Sequence, residues 1–186
     1  MNASRYSKSD VLAAAMRLLD EVGLPDLTMR KLAATLDVQP SALYWHYANK
    51  QSLLAEVSNT IVAFAKPAGP GNSWQETAKL EALALRDALL AFRDGAEVVS
   101  STLALGLGAD QALQKLERAI QEGDPELAHA AAESILFLVL GQVWHEQQRM
   151  QANSLGVVDN LNLGETSNLE IGIQLILNGL SERVNS

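Results

Sequence analysis

Cysteine is absent from the 186 residues of the sequence. Its absence excludes a disulfide framework, a thiolate nucleophile and a zinc-thiolate site. Histidine is also scarce, since only His46, His129 and His145 occur. His145 and Glu146 begin like the helix of a zinc protease, but Arg149 occupies the position of the second histidine. We therefore expect no metal site and no cofactor.

Long apolar runs are missing too. The sequence contains no stretch of about 18 apolar residues, the length that a membrane-spanning helix requires. The first ten residues also lack the apolar segment of a signal peptide. We therefore expect a cytoplasmic protein with no membrane partner. The sequence also lacks a Gly-x-Ser-x-Gly elbow and a phosphate-binding loop, and the pair Gly106 and Gly108 lacks a third glycine. These absences argue against an enzyme.

Acidic residues outnumber basic ones, and they are unevenly distributed. The whole chain carries a net charge of -8. Residues 1–50 carry +1, whereas the remaining residues carry -9. Affinity for nucleic acid depends on the phosphates that are neutralised, so the N-terminal part can bind DNA through a small basic patch. We expect weak non-specific binding and a modest dependence on salt.

Residues 28–47 carry the pattern of a helix-turn-helix. Thr28 can cap a first helix, whose inward positions are spaced i, i+3, i+4 and i+7: Met29, Leu32, Ala33 and Leu36. The period then breaks, and Pro40 suits the first position of a second helix because its missing N–H costs nothing there. Two helices joined by a turn of three or four residues are typical of DNA-binding domains.

The second helix is predicted to end in four consecutive rings, which are Tyr44, Trp45, His46 and Tyr47. Successive helical positions step by about 100°, so the four rings cannot all face one core. With Arg30, Lys31 and Lys50 nearby, exposed rings and hydroxyls suit contacts to phosphates and base edges in a major groove. The alternative is that the rings pack against neighbouring helices, which we expect for one or two of them.

The remaining pattern predicts an all-α protein of two parts. Residues 1–50 form a three-helix DNA-binding domain, whose first helix runs from about Ser9 to Val22 after a capping box at residues 7–10. Residues 51–186 form a helical ligand-binding and dimerisation domain. A connecting helix covers about residues 50–65, and a Pro- and Gly-rich linker covers residues 66–72.

The second part is predicted to contain five more helices. They begin at about Ser73, Gly95, Asp110, Asp124 and residue 168, and residues 153–167 form a loop. The helices at residues 124–150 and 168–183 carry small and apolar faces, which suit an isologous four-helix bundle. The alternative is that one subunit buries both faces. We expect a homodimer, since helix-turn-helix proteins gain specificity from two DNA half-sites.

These residues resemble the tetracycline-repressor (TetR) family of bacterial regulators, and in particular its tetracycline repressor subgroup. In the N-terminal part the similar segments are LDEVG at 19–23, LTMRKLA at 27–33, LYWHY at 43–47 and NK at 49–50. In the C-terminal part they are SWQ at 73–75, RDALL at 86–90, RDGA at 93–96 and LGQV at 140–143. The resemblance implies a homodimeric repressor that leaves double-stranded operator DNA when a small organic effector binds.

The resemblance also implies roles for single residues. Arg30 would contact a base edge, and the phosphates would be bound by Thr28, Tyr44, His46 and Lys50. The residues along the groove would be Gln39, Pro40, Ser41, Ala42 and Trp45. Met29 and Pro40 differ from the subgroup, which has threonine and a polar base-contacting residue at those positions, so the operator sequence is expected to differ.

The ligand site departs further from the tetracycline-binding members. Those members hold a magnesium chelate of the drug with two histidines, an asparagine and a glutamate. At these positions the chain has apolar residues near 63–65, Glu81, Val99 and His145. Leu85 replaces a phenylalanine, and Leu103-Ala104 replaces an Arg-Pro pair. We therefore expect no binding of magnesium-tetracycline, because a hard cation requires oxygen ligands.

A mostly apolar pocket for a different organic effector is expected instead, and Glu81 favours a cation. Its candidate residues are Glu81, Leu85, Val99, Thr102, Phe137, Leu140, Trp144 and His145. The alternative is that these residues form a core without a ligand. The alternatives to a repressor are an activator or a helical interaction module without an inducer and, least favoured by the sequence, an enzyme.

Overall fold

The computed structural model describes residues 6–67, 69–157 and 166–184. Within these ranges the chain forms nine α-helices and no β-strand, which confirms the predicted fold class. The helices are α1 (Lys8–Val22), α2 (Met29–Thr35), α3 (Pro40–Leu43), α4 (Lys50–Ala63), α5 (Trp74–Leu90), α6 (Gly95–Ala104), α7 (Asp110–Gln121), α8 (Ala128–Ser154) and α9 (Thr166–Val184). No helix in the described part of the chain has both the length and the apolar character needed to cross a bilayer.

Helix α1 begins with the predicted capping box. The Ser7 hydroxyl accepts a hydrogen bond from the Asp10 N–H at 3.1 Å, and the Asp10 carboxylate accepts one from the Ser7 N–H at 2.8 Å. Hydrogen bonds from the Ser7 side chain and backbone lower the pKa of Asp10. The helix ends at Gly23, whose φ of +80° favours glycine. The apolar face of α1 packs with α2 and the α2–α3 region around buried Val11, Leu19, Leu27, Leu32 and Leu43.

The α2–α3 pair forms the predicted helix-turn-helix. Thr28 caps α2, since its hydroxyl accepts a hydrogen bond from the Lys31 N–H at 3.1 Å. Asp37 adopts a φ of +54° in the turn, a conformation that aspartate tolerates better than most residues. Helix α3 is shorter than we expected and ends at Leu43, because the Leu43 carbonyl accepts hydrogen bonds from both His46 and Tyr47 and the last turn tightens.

Helix α4 connects the N-terminal helices with the rest of the protein. Asn49 caps it by accepting a hydrogen bond from the Ser52 N–H at 2.8 Å, as the sequence predicts. Along its length α4 packs against α1, α5, α6 and α7. Its Ser58 side chain is buried, and the Ser58 hydroxyl accepts a hydrogen bond from the Thr102 hydroxyl on α6 at 2.7 Å. Helix α4 is therefore in direct contact with both parts of the molecule.

Among the C-terminal helices, α5 packs against α7, α8 and α9. Helix α8 also packs against α7 and α9. An ion pair between Arg86 and Glu146, 3.1 Å apart and mostly buried, joins α5 to α8. A second pair between Lys79 and Glu170, 2.6 Å apart, joins α5 to α9. The α7–α8 turn lies against the Trp74 ring so closely that a Cβ on Gly123 would be 2.2 Å from it.

Two predicted helix boundaries were wrong. Asp124 caps a turn rather than α8, since its carboxylate accepts hydrogen bonds from the N–H groups of Glu126 and Leu127, and α8 begins at Ala128. Helix α8 then continues to Ser154, into the segment expected to be a loop. Residues 158–165 of that predicted loop lie outside the described residues.

Candidate nucleic-acid interface and ligand groove

The predicted DNA-contacting side chains of α2 and α3 are mostly exposed. Thr28 caps α2 and Arg30 lies in its first turn, and Arg30 has no ion-pair partner among the described residues. Met29 between them is buried, so it fills the core rather than facing a ligand. On α3 and its cap, exposed Gln39 and Ser41 alternate with half-buried residues, which are Pro40 and Ala42.

The aromatic segment that follows α3 divides between solvent and core. The Trp45 side chain is 88% exposed and Tyr44 is 51% exposed, whereas His46 is half-buried. Tyr47 is buried and donates a hydrogen bond of 3.4 Å to the Lys8 carbonyl. A tryptophan that is almost wholly exposed indicates a contact surface, because burying its ring is strongly favourable.

Two basic side chains near this segment contact other groups of the protein. Lys50 at the start of α4 is half-buried, and its ammonium donates to the Leu24 carbonyl at 3.4 Å. Lys8 pairs with Glu56 at 2.5 Å and lies 5.2 Å from the centre of the Tyr47 ring. Burial raises the pKa of the Tyr47 phenol to about 12, and the Glu56 carboxylate adds to the shift.

The eight predicted ligand residues divide between core and surface. The buried members are Leu85, Val99, Thr102 and Leu140, and Glu81 on α5 is half-buried. The Thr102 hydroxyl is engaged with Ser58 and with the carbonyls of Val98 and Val99. Phe137, Trp144 and His145 lie on the exposed face of α8. Phe137, Leu140 and Trp144 thus line one surface groove, whereas Leu85, Val99 and Thr102 do not line it and are buried in the core.

These three residues line an open groove between α6 and α8 with a volume of about 450 Å³, which we call the α6–α8 groove. Its α8 side consists of Phe137, Leu140, Gly141 and Trp144. Its α6 side consists of Ala96, Glu97, Ser100, Ser101 and Ala104. The α6 residues were missed by the sequence interpretation, although their spacing of three or four places them on one helical stripe.

Exposed residues also lie on the outer side of α8 and α9, in a surface that shares Phe137 with the groove and that we call the α8–α9 face. It includes Phe137 and His145 on α8 and Ile171 and Leu175 on α9, and Leu175 is 67% exposed. The two helices approach closely, since a Cβ on Gly172 would be 3.0 Å from the Leu138 side chain. Exposed apolar patches of this kind mark interaction sites.

Comparisons with known proteins agree with this geometry. Residues 11–57 match the model of the tetR family of bacterial regulatory proteins. The class E tetracycline repressor protein of Escherichia coli is 37% identical over 160 residues, which cover 84% of this chain and 76% of that protein.

Solved structures give the same result over nearly the whole chain. BioQ of Mycobacterium smegmatis superposes with a TM-score of 0.85 and is 40% identical, covering 96% of this chain and 99% of that one. BioQ bound to its natural double-stranded DNA operator superposes with a TM-score of 0.81 and is 38% identical, covering 95% and 99%. The chain therefore belongs to the TetR family of DNA-binding transcriptional regulators, which are not enzymes.

Proposed function

We propose that the protein is a homodimeric repressor that binds a double-stranded operator and leaves it when a small organic effector binds. The observation that carries this proposal is the exposed Trp45 and Tyr44 at the end of α3, on a helix-turn-helix whose relative BioQ has been crystallised on its operator. An N-terminal DNA-binding domain of residues 1–50 and a C-terminal domain of residues 51–186, in a cytoplasmic protein, are parts of the same proposal.

The exposed side chains of the helix-turn-helix support individual DNA contacts. Arg30 has the donors for a bidentate contact to a guanine edge. The phosphate contacts are assigned to Thr28, Tyr44, His46 and Lys50, and the groove contacts to Gln39, Pro40, Ser41, Ala42 and Trp45. The Thr28 hydroxyl accepts a hydrogen bond from the Lys31 N–H, so its own hydrogen is available to a phosphate oxygen.

The α8–α9 face supports the homodimer. Two copies of this face related by a twofold axis would bury Phe137, Ile171 and Leu175 in a four-helix bundle. Burial of exposed apolar side chains stabilises association by roughly 25 cal/mol per Å² of apolar surface. A dimer also supplies the two recognition segments that a two-part operator requires.

The α6–α8 groove supports the effector site. Helix α6 lines the groove, and its buried Thr102 contacts Ser58 on α4, which begins at Lys50 beside the recognition segment. A ligand that displaces α6 would therefore displace α4 as well. The residues do not fit magnesium-tetracycline, because the buried Val99 side chain has no ligand atom and His145 lies on the exposed surface of α8.

A mobility-shift titration on DNA from the region upstream of the protein's own gene tests DNA binding. We expect saturable binding that Arg30→Ala weakens by about 1 to 3 kcal/mol. The matched control is Arg118→Ala, which removes an exposed positive charge from α7 and should bind as the wild type does. Equal binding by Arg30→Ala would contradict the proposed interface. A reporter whose activity falls when the protein is deleted would contradict repression.

A further inference from the structure

Lys8, the first residue of α1, lies beside the aromatic segment that follows α3. Its ammonium is 5.2 Å from the centre of the Tyr47 ring, and its backbone carbonyl accepts a hydrogen bond from the Tyr47 hydroxyl at 3.4 Å. Tyr47 follows the exposed Trp45 by two positions, and two residues of a chain span at most about 7 Å. Lys8 therefore lies at the edge of the proposed DNA interface.

The Lys8 ammonium is paired with a carboxylate of α4. The Glu56 Oε1 and Lys8 Nζ atoms are 2.5 Å apart, and the Lys8 and Glu56 side chains are 54% and 40% exposed. Glu56 is the single acidic residue of α4. Its charge reaches the aromatic segment, since burial and then the Glu56 carboxylate raise the pKa of the Tyr47 phenol to about 12. A carboxylate at this place disfavours DNA, whose duplex carries one negative charge per about 1.7 Å of its axis.

The pair between Lys8 and Glu56 is weak enough to be exchanged. Breaking an ion pair that is exposed to solvent changes an equilibrium by no more than about fivefold. A lysine ammonium also sits on a flexible four-carbon stem, so it can turn from one anion to another without a movement of α1. A phosphate of DNA that lies on the aromatic segment is such an anion.

We propose that Lys8 binds a DNA phosphate and that Glu56 competes with this phosphate for the Lys8 ammonium. In the free protein Lys8 is paired with Glu56, and on DNA its ammonium moves to a phosphate beside the aromatic segment. The inference rests on the proposed DNA interface, to which it adds a contact from α1 and a residue that limits affinity. Because phosphate contacts carry no sequence information, Glu56 weakens the binding of operator and unrelated DNA alike.

The Lys8 contact can be tested by titrating two duplexes at several salt concentrations. One duplex comes from the region upstream of the protein's own gene, and the other is a scrambled sequence. Lys8→Met should weaken both by the same factor and reduce the slope of log affinity against log salt by about one, because one fewer phosphate is neutralised. Lys8→Arg should restore the slope, since it keeps the charge.

Arg17→Met is the matched control for Lys8→Met. Arg17 is exposed on α1 nine positions after Lys8, which is about two and a half turns and places it on the opposite side of the helix. Its loss changes the net charge equally and should leave the salt slope as in the wild type. An unchanged slope in Lys8→Met would overturn the proposal, because a purely structural ion pair does not alter counterion release.

Glu56→Gln tests the competition for the ammonium. It should tighten the binding of both duplexes by about two- to fivefold, because Lys8 no longer has to leave a partner. In the Lys8→Met background the same change should give a smaller gain, which comes from weaker repulsion of the phosphates alone. Glu122→Gln removes an exposed carboxylate at the end of α7 and should bind as the wild type does. Equal gains from Glu56→Gln in both backgrounds would overturn the proposed exchange.

The outcomes separate this inference from the proposed function. Circular dichroism first establishes that each variant is folded. If the wild type binds DNA and Arg30→Ala weakens it, but Lys8→Met leaves the salt slope unchanged, the DNA interface stands and the Lys8 contact fails. If the wild type binds neither duplex at low salt, the regulator proposal and this inference both fail.

Discussion

The Asp94 carboxylate accepts a hydrogen bond from the backbone N–H of Leu24, with Oδ2 and N 2.8 Å apart. Asp94 lies in the α5–α6 turn with a φ of +55° and is only 4% exposed. Its other carboxylate oxygen accepts a hydrogen bond from the Gln151 side chain on α8. Next to it, the Arg93 N–H donates to Asp20 of α1 at 3.0 Å. The start of α6 is thus tied both to the N-terminal helices and to α8.

Replacement of Asp94 by alanine should loosen this connection. The buried Leu24 N–H would lose its acceptor, and a buried polar group without a partner destabilises a protein by about 1 to 3 kcal/mol. We expect a lower free energy of unfolding in urea and faster hydrogen exchange at the Leu24 amide.

Asp26→Ala is the matched control for Asp94→Ala, because Asp26 is exposed in the loop between α1 and α2. Its effect on the free energy of unfolding should stay within about 0.5 kcal/mol. Unchanged exchange at Leu24 in Asp94→Ala would show that the bond is not important in solution.

The buried phenol of Tyr47 predicts a loss of stability at high pH. Its pKa is raised from 10.0 to about 12 by burial and by Glu56, so the folded state favours the neutral phenol. The stabilising contribution is complete below pH 10 and is lost as the pH rises towards 12. Urea unfolding at pH 9 and 11 should show a smaller decrease in stability for Tyr47→Phe than for the wild type.

Tyr44→Phe serves as the control for Tyr47→Phe, since Tyr44 is exposed. Its decrease in stability between the two pH values should match that of the wild type. The same decrease in all three proteins would show that Tyr47 is not the group responsible.

The close approach between Gly123 and Trp74 predicts a strong effect of one methyl group. A Cβ at residue 123 would lie 2.2 Å from Cε2 of the Trp74 ring, so the α7–α8 turn would have to move. Gly123→Ala should lower the free energy of unfolding by about 1 to 3 kcal/mol and alter tryptophan fluorescence.

Gly179→Ala on α9 is the contrasting variant, because its Cβ would meet no atom within 4 Å. Alanine is favoured over glycine inside a helix by about 0.5 to 1 kcal/mol, so this variant should be as stable as the wild type or more stable. Equal stability of Gly123→Ala and Gly179→Ala would contradict the packing of the turn.

The helix-turn-helix could be predicted from sequence because its signals are local. The Ser7, Thr28 and Asn49 caps each depend on residues three positions away, and all three are found in the structure. The aromatic segment could be predicted only in part. Helical spacing shows that some of its four rings must be exposed, but it does not show that Tyr47 is the buried one. That outcome depends on contacts of Tyr47 with α1.

The ligand residues could not be predicted in the same way. Phe137 and Leu140 are three positions apart on α8, yet one is 58% exposed and the other is buried. Which face of α8 turns inward is set by α5, α7 and α9 together, and the groove appears only where α6 crosses that helix. The sequence therefore does not show which side of α8 lines the groove, or that Glu97 of α6 lines it too.

Magnesium-tetracycline should not bind to the protein. Glu81 is half-buried on α5, and His145 is exposed on α8. Val99 is buried on α6, and its side chain has no ligand atom for a hard cation. A calorimetric titration should show no heat of binding, with the class E tetracycline repressor as the positive control. Micromolar or tighter affinity would contradict the prediction.

Arg30 and Lys50 should contribute to DNA binding in different ways. Arg30 is exposed and has no ion-pair partner among the described residues, so it can form two parallel hydrogen bonds to a guanine. Lys50 is half-buried and points its ammonium towards the Leu24 carbonyl, which restricts it to a single phosphate. Arg30→Ala should therefore reduce discrimination between operator and scrambled DNA by about 1 to 3 kcal/mol.

Lys50→Ala should instead weaken operator and scrambled DNA to the same extent. It should also reduce the slope of log affinity against log salt by about one, because one fewer phosphate is neutralised. Titrations of both variants on both DNAs at several salt concentrations measure the two effects. If Lys50→Ala alters discrimination while Arg30→Ala alters only the salt slope, the two roles are reversed, and α4 rather than α2 contacts the bases.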